Sequence, residues 1–119
     1  MPTEARARRV GDRIREELAE ILQRDVHDPA LTLVTITGVE VDREFGFATV
    51  YVTSGDPARK ADVLAGFTRA RGYLRSALAA RIPLRSFPKL RFRYDTSVDE
   101  GARIEDLLTQ LKREERRGR

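Results

Sequence analysis

The stretch Phe87-Pro88-Lys89-Leu90-Arg91-Phe92-Arg93-Tyr94 alternates without exception from residue 89 onward. Leu90, Phe92 and Tyr94 fall on one side of an extended chain; Lys89, Arg91 and Arg93 fall on the other. This predicts a strand over 89–94 with its apolar face on a core and its cationic face in solvent. Pro88 is tolerated at the start of such a strand. A strand this one-sided needs a sheet to join and helices to cover its apolar side, and the rest of the chain supplies both.

Upstream, Ser54-Gly55-Asp56-Pro57 reads as a helix start, with Asp56 as N-cap and Pro57 at the first helical position. The apolar positions Val63, Leu64, Phe67, Ala70, Leu74, Ala77, Leu78 and Ile82 form its buried side, and Ile82-Pro83 closes it. A helix turning 100° per residue would place Arg71 inside that stripe. Either Arg71 snorkels along it, or the helix bends at Gly72; the glycine favours the bend.

Before this helix lie two strands. Val34 and Ile36 alternate, then Val39 and Val41 alternate one residue out of phase, so Gly38 between them predicts a β-bulge. Asp42-Arg43-Glu44-Phe45 reads as a turn. A second strand follows over about Gly46–Thr53, with Ala48, Val50 and Val52 on one face and Phe47, Thr49 and Tyr51 on the other. These aromatic residues are expected mainly to pack across strands, with base stacking as the alternative use. The chain begins with a helix from Glu4 to about Arg24, capped by Thr3, whose stripe is Val10, Ile14, Leu18, Ile21 and Leu22. Asp28-Pro29 ends that region. Ser97-Val98-Asp99-Glu100 has the form of a capping box before a last helix with Ile104, Leu107, Leu108 and Leu111 on its apolar side.

The resulting order is α-β-β-α-β-α, with the long helix bent. The expectation is one α+β domain over 1–111, a three-stranded sheet with helices on one face, and a disordered basic tail over 112–119. The length of 119 residues accommodates a single core.

Charge is distributed unevenly. Between Val63 and Tyr94 there are eight basic residues and no acid, although the whole chain carries 23 Lys+Arg against 19 Asp+Glu. One contiguous quarter therefore holds the entire positive surplus, which points to a polyanionic partner, nucleic acid first. Arg6, Arg8, Arg9 and Arg13 crowd the start of the first helix, against the macrodipole preference, and invite a binding explanation of their own.

Enzyme chemistry finds little support. With no cysteine there is no disulfide, thiolate metal site or thiol nucleophile, and cytoplasm is the expected compartment. No apolar run approaches the ~18 residues of a membrane helix, and no signal-peptide pattern opens the chain. The single histidine, His27, reads as a surface group at a helix end. Asp95, Asp99, Glu100, Glu105 and Asp106 are acids that a magnesium ion could in principle use, but four of them read more simply as first-turn helix residues. No cofactor or metal is expected. A metal-dependent RNA-processing enzyme is the alternative function from another class.

Several segments, in order, carry a resemblance. They are Arg9-Val10 with its helix, Asp28-Pro29-Ala30-Leu31, Val34-Thr35-Ile36-Thr37-Gly38-Val39-Glu40-Val41 and Ala48-Thr49-Val50-Tyr51-Val52. Next come Ala70-Arg71-Gly72-Tyr73-Leu74-Arg75-Ser76 and Leu84-Arg85-Ser86-Phe87-Pro88-Lys89-Leu90-Arg91-Phe92. The series closes with Asp95-Thr96-Ser97 and Glu100-Gly101-Ala102-Arg103-Ile104. Together, from about Ala5 to Leu111, the chain resembles ribosome-binding factor A. The resemblance implies a type II KH-like domain with an interhelical Ala-x-Gly kink, matched by Ala70, Arg71 and Gly72, in place of the usual GxxG loop. It also implies a non-catalytic bacterial factor that associates with the free small ribosomal subunit and its ribosomal RNA. Such a factor assists late maturation, including processing of the 5′ end and cold-shock adaptation. Neighbouring small-subunit proteins are expected as further contacts, and the chain is expected to be monomeric.

On this reading Arg71, Arg75, Arg81, Arg85, Lys89, Arg91 and Arg93 meet RNA phosphates, with Arg8 and Arg9 as a second patch. A generic KH module binding free single strands is the remaining alternative.

Overall fold

The computed structural model describes residues 3–97, 108 and 111–113. Its elements are α1 (Glu4–Arg24), β1 (Thr35–Val41), β2 (Phe47–Thr53), α2 (Lys60–Arg81) and β3 (Lys89–Tyr94), with short 3-10 turns at Pro29–Leu31 and Pro57–Arg59.

α1 begins where Thr3 Oγ1 accepts the amide of Arg6 at 3.1 Å. Its buried residues, Ala7, Gly11, Ile14, Leu18 and Ile21, are spaced four, three, four and three apart, a single face laid on β1. Val10 and Leu22 flank that face, half-buried. The expected stripe is thus right in phase but omits the two small residues that let the helix approach.

The three strands form one sheet in the order β1-β2-β3. β1 and β2 are antiparallel, and the register jumps between Ile36 and Gly38, leaving Thr37 as the extra residue of the expected bulge. The Asp42 carboxylate organises the hairpin turn, accepting the amides of Gly46 at 2.7 Å and Phe47 at 3.2 Å. β3 pairs with β2 in parallel, Phe47 opposite Lys89 and Thr49 opposite Arg91. β2 is therefore central, and α2 is the crossover that returns the chain to the same end of the sheet. Both long helices cover the same side, where Ala48, Val50, Val52 and Leu90 are buried against Ile14, Leu18, Phe67, Leu74 and Leu78. Phe67 stacks on Phe92 with ring centroids 4.6 Å apart.

One expectation about α2 needs correcting. Asp56 caps not α2 itself but the 3-10 turn Pro57–Arg59, accepting the amide of Ala58 at 3.0 Å, and α2 continues from Lys60. Through Ala70-Arg71-Gly72 the helix is uninterrupted, running from Lys60 to Arg81. The buried residues Val63, Phe67, Leu74 and Leu78, with half-buried Ala70 and Ala77, keep helical period throughout. Leu64 is only half-buried and Ile82 lies past the helix in extended conformation. Counting those two as stripe members widened the stripe falsely over Arg71, which is exposed.

The C-terminal helix expected from Ser97 falls mostly outside the described residues. Ser97 is helical, as are Leu108 and Leu111–Arg113, so Lys112 and Arg113 of the expected tail are helical; the residues from 114 lie outside the described residues. Of the acids weighed as a magnesium site only Asp95 is described, and it works as a cap. Its carboxylate accepts the hydroxyl of Thr37 at 2.7 Å and the amide of Ser97 at 2.9 Å.

Candidate RNA-binding surface

Parity along β3 puts Lys89, Arg91 and Arg93 on the sheet face that carries no helix among the described residues, while the facing turn of α2 brings Arg71 and Arg75 to the neighbouring edge. Between them runs an open groove of about 600 Å³, lined by these five cations with Phe47, Gly72, Leu90 and Phe92. No acid lines it. Like charges held this close raise the local potential and favour a polyanion over any neutral ligand.

The eight cations of the basic segment sort into distinct roles. Two are neutralised within the fold. Arg69 pairs with Asp28 at 2.9 Å. Arg81 pairs with Glu17 at 2.9 Å and lies 3.7 Å from Glu20 and 3.8 Å from Asp25. The Glu17 hydrogen bond is the chief cause holding the Arg81 guanidinium above its ordinary range. Arg75 lines the groove while its guanidinium donates to the carbonyls of Phe87 at 2.6 Å and Pro88 at 3.2 Å, fixing the approach to β3. Arg71, Lys89, Arg91 and Arg93 are exposed in the groove, and Arg85 is exposed on the α2–β3 loop without lining it.

A second cationic hollow lies between α1 and that loop, lined by Arg6, Arg9, Val10, Arg13, Ile82, Pro83 and Leu84. Arg9 belongs to it as expected; Arg8 is exposed but lines neither groove. Arg6 and Arg13 are additional members. Arg13 also donates to the Arg81 carbonyl at 3.0 Å, and the Arg6 guanidinium sits 5.2 Å from the centre of the Phe45 ring. Helical spacing links Arg6, Arg9 and Arg13 as i, i+3 and i+7, a signal present in the sequence.

Phe47, expected mainly to pack across strands, finds its partner in Arg91. Its ring lies under the Arg91 guanidinium, 3.5 Å from carbon to centroid. Only the parallel pairing of β2 with β3 makes them neighbours.

The chain as a whole matches the family model described as ribosome-binding factor A over residues 6–108. The chain belongs to this family. The ribosome-binding factor A of Shewanella loihica is 42% identical over 109 residues, covering 90% of this chain and 78% of the relative. The crystal structure of ribosome-binding factor A from Thermus thermophilus superposes with a TM-score of 0.67 at 28% identity, covering 77% of this chain and 96% of that one. A homology model of the Thermus thermophilus ribosome-binding factor A, fitted into a cryo-electron-microscopy map of a 30S complex, gives 0.60 at 30% identity. That match covers 72% of this chain and 91% of the other. The ribosome-binding factor A fold is therefore shared across about three-quarters of the chain. The members it matches carry the name of a binding factor rather than of an enzyme. Among the described residues no helix is long and apolar enough to cross a membrane.

Proposed function

We propose that this chain is a non-catalytic RNA-binding factor that associates with the free small ribosomal subunit. In this reading it assists late maturation, including 5′-end processing of the subunit's RNA and adaptation to cold. The observation that carries the proposal is the groove between α2 and β3, where Arg71, Arg75, Lys89, Arg91 and Arg93 converge with no acid among them. The family relative fitted into a 30S complex supports the choice of subunit.

Phosphate contacts from the groove supply affinity and orientation, and the shape of a folded RNA junction supplies selectivity. Binding one RNA conformation more tightly than another shifts the maturing subunit towards it, with no bond made or broken. The hollow of Arg6, Arg9 and Arg13 is a second contact, with Arg8 and Arg85 as exposed cations beside the two grooves. Cytoplasmic action as a monomer, with small-subunit proteins as neighbours, completes the reading.

Sedimentation with mature small subunits, large subunits and assembled ribosomes across a salt series tests it. The expected result is binding selective for the free small subunit, weakening steeply with salt, and lost in the double variant Arg91→Glu, Arg93→Glu. Equal binding to all three particles, or an unaffected double variant, overturns it.

A further inference from the structure

Phe47 and Arg91 form a stacked pair on the sheet face that carries no helix among the described residues, with 3.5 Å between the guanidinium carbon and the ring centroid. Phe47 is half-buried, and Arg91 is exposed. One face of the guanidinium therefore rests on the ring while the other is open. Lys89 and Arg93, two residues to either side along β3, are exposed on the same face. Tyr51 stands two residues along β2 from Thr49, and its hydroxyl donates to Glu40 at 3.3 Å, holding it towards β1.

A contact to phosphate alone does not need this arrangement. It asks for positive charge on a stem, which Lys89 and Arg93 already provide on either side. Arg91 differs because its planar head is laid flat on an aromatic ring, so a rotamer-rich side chain is ordered before any ligand arrives. The ligand that matches a plane flanked by two cations is an unstacked nucleobase with its backbone phosphates on both sides. A base also stacks on a guanidinium whatever its identity, so such a site tolerates sequence.

We propose that Arg91, seated on Phe47, is a stacking platform for one unpaired base of a single-stranded RNA segment, with Lys89 and Arg93 on the flanking phosphates. The proposal rests on the RNA-binding reading above and adds a base contact to it.

Arg91→Lys separates the two kinds of contact, because it keeps the charge and removes the plane at an exposed position. Binding to the free small subunit is measured across a salt series for the wild type, Arg91→Lys and Arg91→Glu. The expected result for Arg91→Lys is a loss of about fivefold or more with the salt slope unchanged; Arg91→Glu loses more and flattens the slope. A second arm uses a short oligoadenylate and the same strand with an abasic central position, compared at low salt. The wild type is expected to prefer the intact strand by about fivefold or more, and Arg91→Lys to bind both alike.

If Arg91→Lys binds the subunit as the wild type does while Arg91→Glu does not, the platform is overturned and the phosphate reading stands. If neither substitution matters, the groove itself is misplaced. If the wild type binds intact and abasic strands equally, the pair meets something other than a base, and the platform is overturned.

Discussion

Gly11 of α1 stands directly against the Val39 carbonyl of β1: a Cβ built at residue 11 would come within 2.7 Å of that oxygen. The contact is to backbone, which cannot swing aside as a side chain does. Gly11→Ala is therefore expected to lower the unfolding free energy by about 1–3 kcal/mol, despite the better helix propensity of alanine. Denaturant titration of the purified variant reads this directly.

Gly72 makes the opposite case. It is helical and exposed, and a Cβ there would meet nothing within 4 Å. Gly72→Ala should raise stability by about 0.5–1 kcal/mol in the same titration. A loss would mean that the helix is distorted at this residue in solution.

Phe67 is fully buried and stacked on Phe92. Phe67→Ala removes the ring that joins α2 to β3 and should cost about 3–5 kcal/mol. Far-UV circular dichroism during thermal melting will show a transition well below that of the parent chain.

Arg81 and Arg93 should divide stability from binding. Arg81 ties the end of α2 to Glu17 on α1, whereas Arg93 lines the open groove. Arg81→Gln is expected to lower the melting temperature and leave subunit affinity unchanged. Arg93→Gln is expected to leave melting unchanged, weaken binding, and reduce the salt slope by about one. Reversed behaviour would place the RNA contact at the helix ends instead.

Acid should act through Asp95 and Asp28. The carboxyl of Asp95 is held below its ordinary range by hydrogen bonds from the Ser97 hydroxyl, then Thr37, then the Ser97 amide. That of Asp28 is lowered by the Ala30 amide and then by Arg69. A depressed native pKa means that the unfolded chain takes up protons first as pH falls. The stabilisation is thus complete above the ordinary carboxylate value and is lost as pH drops through the lowered one. Asp95→Asn should be less stable than the parent at neutral pH, with the gap narrowing as pH falls through and below the ordinary carboxylate range. A gap that stays constant over that range refutes the assignment.

How much of this was legible in the sequence depends on whether a feature is local. β3 could be bounded to the residue because its alternation is self-contained, and the bulge beside Gly38 because a phase slip is visible in one strand. That Arg71 lies outside the buried stripe of α2 was not legible, since the width of that stripe depends on which flanking apolar residues are half-exposed, as Leu64 is, or lie past the helix end, as Ile82 does. Leu64 and Ile82 could not be told from Phe67 by type alone. Site membership divided in the same way. The cationic face of β3 was evident, but Arg81 looked as free as Arg93 because its partners, Glu17, Glu20 and Asp25, lie on another helix end. The pairing of Phe47 with Arg91 depends on strand order, which no local pattern encodes.

The parallel docking of β3 beside β2 also sets the order in which the molecule is made. β1 and β2 close across a short turn, whereas β3 reaches β2 only after the 35 intervening residues from Ser54 to Pro88 have been laid down. Loop-closure entropy and N-to-C synthesis both put that contact late. A nascent chain that has formed α1 and the hairpin still lacks both walls of the groove, Arg71 and Arg75 on α2 as well as Lys89, Arg91 and Arg93 on β3. The chain thus passes its own birthplace, a particle built of RNA, before its cationic surface has been assembled.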